Sequence, residues 1–123
     1  TRTLKSIANS YLSRTHRDNP GSVCAVSALA GDVARSSRKN REIMSKHLAK
    51  YFESIRDVIG DQKNEELAIA LMSMMVGAVT LSRVMSDPAI ADKVLLVARN
   101  AILELGSSSN SETSKETAHA RAQ

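Results

Sequence analysis

The chain has 123 residues, room for one domain with a core of several helices. Only Tyr11, Tyr51 and Phe52 are aromatic, so that core is aliphatic, methionine and alanine, and no Lys/Arg-rich block interleaved with aromatics offers a base-stacking surface. The formal charge of +4 is modest, and the single Cys24 excludes an internal disulfide and fits a reducing, cytoplasmic compartment.

No Val/Ile/Thr run alternates with polar residues, so the expected class is all-α. No apolar, positively flanked leader opens the chain. It starts at Thr1 rather than Met, as a fragment or a processed product does.

Leu4, Ile7, Ala8 and Tyr11 share one helical face, which predicts a short amphipathic helix over residues 2–13. His16-Arg17-Asp18-Asn19-Pro20-Gly21-Ser22 then breaks the chain: Pro20 keeps Asn19 out of the helical region, and Ser22 can cap a second helix. That helix, about 23–36, is rich in small residues (Ala25, Ser27, Ala28, Ala30, Gly31, Ala34), with Val26, Leu29 and Val33 for apolar contact. Close packing is the expected reason for Gly31, which costs about 1 kcal/mol against alanine in a helix interior.

Ser36 or Ser37 caps a longer helix to Ile59, with Met44, Leu48, Tyr51, Phe52, Ile55 and Ile59 on its apolar face. Glu42 and Lys46 form an i,i+4 pair, Gly60 ends the helix, and Arg38, Lys39 and Arg41 in its first turn read as a solvated face. Asn64 caps the following helix, with Glu65 and Glu66 in its first turn. Asp87-Pro88 stops that helix and starts the last one, a strong start signal. Gly106 is expected to end the last helix, leaving 1–106 as the domain and 107–123, rich in Ser, Thr, Asn and Ala, as a flexible tail. The sum is five helices.

The chain is organised around residues 67–82, which hold no charge until Arg83. Leu67, Leu71, Met74, Ala78, Leu81 and Met85 form one apolar row, and Ala68, Met72, Met75 and Val79 a second. A helix apolar on two faces needs burial on two sides, so a second copy of the chain is expected. Leu71, Met74, Gly77, Ala78 and Leu81, with Val94, Ala98 and Ala101 of the last helix, are the chosen interface, and the last two helices of two copies would make a four-helix bundle. A membrane span is disfavoured, because the uncharged run is shorter than roughly 20 residues and holds serines and a threonine.

His16-Arg17-Asp18-Asn19-Pro20-Gly21-Ser22-Val23-Cys24-Ala25-Val26-Ser27-Ala28-Leu29-Ala30-Gly31-Asp32-Val33-Ala34-Arg35, followed later by Met75-Val76-Gly77-Ala78-Val79-Thr80-Leu81-Ser82-Arg83, resembles the C-terminal domain of TetR-family transcriptional regulators. The likeness covers about residues 4–105 and is specific at His-Arg-Asp-x-Pro-Gly-x-x-Cys. It implies a five-helix, homodimeric domain that senses a small lipophilic molecule, dimerises through its last two helices, and reaches DNA only through a preceding helix-turn-helix domain that this chain does not contain. Pocket residues are chosen by position: Cys24, Met44, Leu48, Tyr51, Phe52, Met72, Met75 and Val79 are the inward soft or aromatic side chains, for which ordinary core packing is the competing reading.

His-Arg-Asp also opens the kinase catalytic loop, but no glycine-rich phosphate loop or Asp-Phe-Gly accompanies it. The three residues are expected to tie the loop down, Asp18 on backbone N–H groups and Arg17 or His16 on a carboxylate or helix end. Cys24 near a helix N-terminus is a candidate redox sensor, against its reading as a small buried hydrophobe. His16, His47 and His119 lack ligand spacing, so neither a metal nor a cofactor is expected, and no nucleophile or paired acids point to an enzyme. The function expected is an effector-sensing dimerisation domain; the alternative is a helical homodimeric protein-interaction module without a ligand.

Overall fold

The computed structural model describes the backbone of residues 3–18, 25–60 and 64–122, and side chains within 3–18, 30–60 and 64–107. The described residues are helical, with no strand among them: α1 Leu4–Tyr11, α2 Arg14–Asp18, α3 Ala25–Ala34, α4 Arg38–Ile59, α5 Glu65–Val84 and α6 Pro88–Ala122. The all-α expectation holds, with one helix more than the sequence predicted. Cys24 and the Asn19–Ser22 turn lie outside the described residues, as do the side chains of Val26 and Leu29.

The helix ends follow their capping residues. Thr3 and Ser6 form a reciprocal capping box on α1, each side chain accepting from the other's backbone N–H at 3.0 and 2.9 Å. Ser37 accepts from Asn40 N at 3.3 Å, Asn64 from Leu67 N at 3.1 Å, and Asp87 from Ala89 N at 2.9 Å. Gly60 closes α4 in the left-handed region at φ 77°. On α4, Glu42 meets Arg38 at 3.3 Å rather than Lys46.

Two expectations are corrected. Residues 16–18 of the expected break belong instead to the one-turn helix α2, because Ser13 acts as its cap and accepts from His16 N at 3.1 Å. Gly106 does not end the last helix, which continues to Ala122. Gly106 has no positive φ and is buried; a Cβ there would come within 2.5 Å of Leu4 Cδ2. The glycine is a notch that seats α1 on α6. Gly31 has the reverse character: it is exposed, and a Cβ on it would meet nothing within 4 Å, so close packing inside this chain does not explain it.

α5 is the central element, in contact with α2, α3, α4 and α6. Ala68, Leu71, Met72, Met75, Ala78, Val79 and Ser82 are its buried residues. All but Ser82 share one core with Ala8, Tyr11 and Leu12 from the N-terminal segment, Ile55 of α4, and Leu95 and Ile102 of α6. All four members of the second row, Ala68, Met72, Met75 and Val79, are within 3% of full burial, and Leu71 and Ala78 of the first row are buried with them.

Candidate functional site

The His-Arg-Asp segment joins the N-terminal helices to the α5–α6 hairpin. The Arg17 guanidinium donates to both oxygens of Asp18, at 2.9 and 3.3 Å, and its Nη1 also reaches Asp92 at 3.3 Å and the Ser82 hydroxyl at 3.2 Å. Buried Ser82 in turn donates to the Ala91 carbonyl at 2.8 Å, tying α5 to the first turn of α6. Arg14 grips Asp92 through Nε and Nη2, Arg83 Nε donates to the Arg17 carbonyl at 2.9 Å, and Arg99 Nη1 donates to the Leu12 carbonyl. Arg17 thus meets carboxylates as expected, and Asp18 accepts from Arg17; the backbone N–H groups of the turn after Asp18 lie outside the described residues. Asp92, contributed by α6, is the anchor that sequence reasoning missed.

The hydrogen bonds and charge of Arg14, then those of Arg17, hold the Asp92 carboxyl below its usual range, and Arg17 does the same for Asp18. Replacing Arg17 with Ala removes several charged hydrogen bonds and a mostly buried stem, and should cost on the order of 1 to 2 kcal/mol in urea unfolding. Arg35→Ala should stay within about 0.5 kcal/mol, because the Arg35–Asp32 pair is solvent-exposed.

His16 is 3% exposed, with its ring 4.3 Å from that of Tyr11. Burial is the main cause that lowers its pKa; the nearby Arg83 charge adds to it, and a hydrogen bond to the Tyr11 backbone opposes it. The unfolded chain therefore takes up a proton near the ordinary value of 6.5 while the folded chain does so only at lower pH. Stability is full above pH 6.5 and declines as the pH falls from there through the folded value. Melting temperature measured across this range should fall in the native protein, and His16→Phe should flatten that part of the curve.

The candidate effector residues divide into three groups. Met72, Met75 and Val79 are buried on α5; Met44, Leu48 and Phe52 of α4 are half-buried and packed against the same core. Tyr51 sits at the exposed edge of α4, and Cys24 lies outside the described residues. Six of the eight chosen side chains are thus brought together, packed as core in this conformation.

The candidate interface residues also divide. Leu71 at 0% and Ala78 at 7% exposure lie inside the single chain's own core. Met74, Gly77, Val94, Ala98 and Ala101 are half-buried and Leu81 is 55% exposed. α1 and α2 cover one side of the hairpin, through the Arg17, Arg14, Arg99 and Leu4 contacts. Uncovered surface carries Ile69, Leu81, Val84 and Met85 from α5 and its turn, and Ile90, Val97 and Leu105 from α6. Between Leu67 and Ser82 no charge interrupts it. Its two hydroxyls are already satisfied: Ser73 donates to the Ile69 carbonyl at 2.8 Å and Thr80 to the Val76 carbonyl at 2.9 Å. Such a face can be desolvated without stranding a polar group.

An open groove of about 340 Å³ lies on the α2 side of the hairpin, lined by Arg14, Ala89, Asp92, Lys93, Leu95, Leu96 and Arg99. None of the chosen effector residues lines it. Among the described residues, no group of three or more His, Cys, Asp or Glu is placed to hold a metal ion. No protein-family model and no curated protein matches this chain.

Proposed function

We propose that the chain is the effector-sensing and homodimerising part of a TetR-like transcriptional regulator, acting in the cytoplasm without cofactor or catalysis. A lipophilic small molecule would control DNA binding by a helix-turn-helix domain attached ahead of α1. The observation that carries the reading is the exposed apolar face of α5 and α6, uncharged along α5 from Leu67 to Ser82, where Ser73 and Thr80 are bonded back onto their own helix. Large exposed apolar patches mark interaction sites, and a self-complementary pair of antiparallel helices suits a twofold dimer and a four-helix bundle. α5 is also apolar and long enough to cross a membrane, but seven of its residues are already buried within this chain, which fits a helix shared between two cores better than one facing lipid.

The methionine-rich junction of α4 and α5 supports the sensing half of the proposal. Met44, Met72 and Met75 have flexible, polarizable side chains that repack around varied apolar shapes. The same side chains packed as core favour a second reading, a homodimeric interaction module without a ligand. Molar mass by light scattering and a thermal-shift screen against lipophilic metabolites, drugs and quinones separate the two. A dimer stabilised by one chemical class supports sensing, since a ligand of the native state alone must stabilise it. A dimer that nothing stabilises supports the module, and a monomer overturns both.

A further inference from the structure

The groove beside Asp92 has a charge pattern that the arginine clamp leaves unbalanced. Its lining contains three cations, Arg14, Lys93 and Arg99, and one anion, Asp92. That carboxylate is already engaged: Oδ1 accepts from Arg14 Nε at 2.9 Å and Arg17 Nη1 at 3.3 Å, and Oδ2 accepts from Arg14 Nη2. It has little left with which to compensate the neighbouring cations. Lys93 makes no ion pair among the described residues, and Arg99 spends Nη1 on the uncharged Leu12 carbonyl.

The rest of the lining is apolar. Leu95, at 2% exposure, forms part of the lining together with Ala89, and Leu96 stands 48% exposed beside them. A leucine held half in solvent beside uncompensated cations is matched by a ligand with an apolar body and one negative head. The volume of about 340 Å³ falls at the small end of ligand clefts.

We propose that this groove binds a small organic carboxylate, its head between Lys93 and Arg99 and its hydrocarbon part over Ala89, Leu95 and Leu96. A carboxylate suits both cations, since it accepts charge-assisted hydrogen bonds from guanidinium and ammonium alike. The site is separate from the Met72–Met75 core, and it does not depend on the regulator reading.

The test is a titration of the 15N-labelled chain with octanoate, followed by amide shifts, with octanol as the uncharged control. Octanoate should shift the amides around Lys93 and Leu96 and leave those around Met72 and Met75 in place; octanol should bind at least about tenfold more weakly. Lys93→Glu, at an exposed position, should weaken octanoate by about tenfold or more while the helical spectrum stays unchanged. Leu96→Asp should weaken it comparably through the other end of the ligand. Shifts confined to the α4–α5 core, absence of shifts altogether, or equal binding by Lys93→Glu would each overturn the site. An effector bound in the core would move the Met72 and Met75 signals instead, so failure of this groove and failure of the sensor reading give different spectra.

Discussion

Leu81→Arg should yield a helical monomer. Leu81 is 55% exposed in the single chain, so arginine there meets water and leaves the core intact. In a twofold dimer built on α5 and α6 the same change places two guanidiniums in an apolar seam. Burying an unpaired charge costs several kcal/mol, and each 1.4 kcal/mol is tenfold in affinity; the dimer should weaken by more than about a hundredfold. Light scattering reads the mass and circular dichroism the helix content. Ala78→Arg is the necessary contrast. Ala78 faces the inside of its own chain at 7% exposure, so its replacement should lose helicity and mass together. A Leu81→Arg protein that remains dimeric would place the partner on another surface.

Met75→Ala should be the most destabilising of the single truncations at the α4–α5 junction. Met75 is 1% exposed and sits midway along α5, with Met72 and Val79 a turn away on either side. Removing most of a buried side chain costs about 2 to 5 kcal/mol, transfer and cavity together. Against a total stability of roughly 5 to 15 kcal/mol that is a large part of the whole. Met75→Leu keeps the volume and should cost less than about 1.5 kcal/mol. If urea unfolding shows Met75→Ala nearly as stable as the native chain, the side chain lines a hollow that can collapse or fill, and a resident effector becomes the better account of this junction.

The features legible in the sequence and those hidden from it differ by range. The caps at Ser37, Gly60, Asn64 and Asp87 are legible because each acts within a few residues of itself. Ser13 acts at the same range but is masked by the turn residues after Asp18, which draw the apparent break forward. Gly106 misleads for a different reason. A glycine that ends a helix and a glycine that admits a neighbour are the same letter, and only the position of Leu4, about a hundred residues earlier, tells them apart. Asp92 gives no signal either, since its partners Arg14 and Arg17 lie 78 and 75 residues away.

The two apolar rows of α5 show the same limit in the candidate site. Periodicity reveals that both rows exist but cannot rank them, because inward and outward faces carry similar residues when a helix is to be covered on both sides. The deciding facts are tertiary: α4, α6 and the N-terminal segment bury Ala68, Met72, Met75 and Val79, and the same packing takes in Leu71 and Ala78 from the first row. Six of the eight candidate effector side chains converge because α4 and α5 each place soft side chains at helical spacing toward one junction.

The seat of Leu4 at Gly106 has a mechanical consequence. Gly106 is the one residue of α6 without a side chain, so it is where Leu4 can approach the helix backbone this closely. Sliding α6 by a full turn, about 5.4 Å, would carry the leucine out of its seat and onto an occupied stretch of helix. The N-terminal segment meets α6 at this seat and again where Arg14 and Arg17 reach Asp92 and Arg99 reaches the Leu12 carbonyl, so a shift of α6 along its own axis would have to break all of these contacts together.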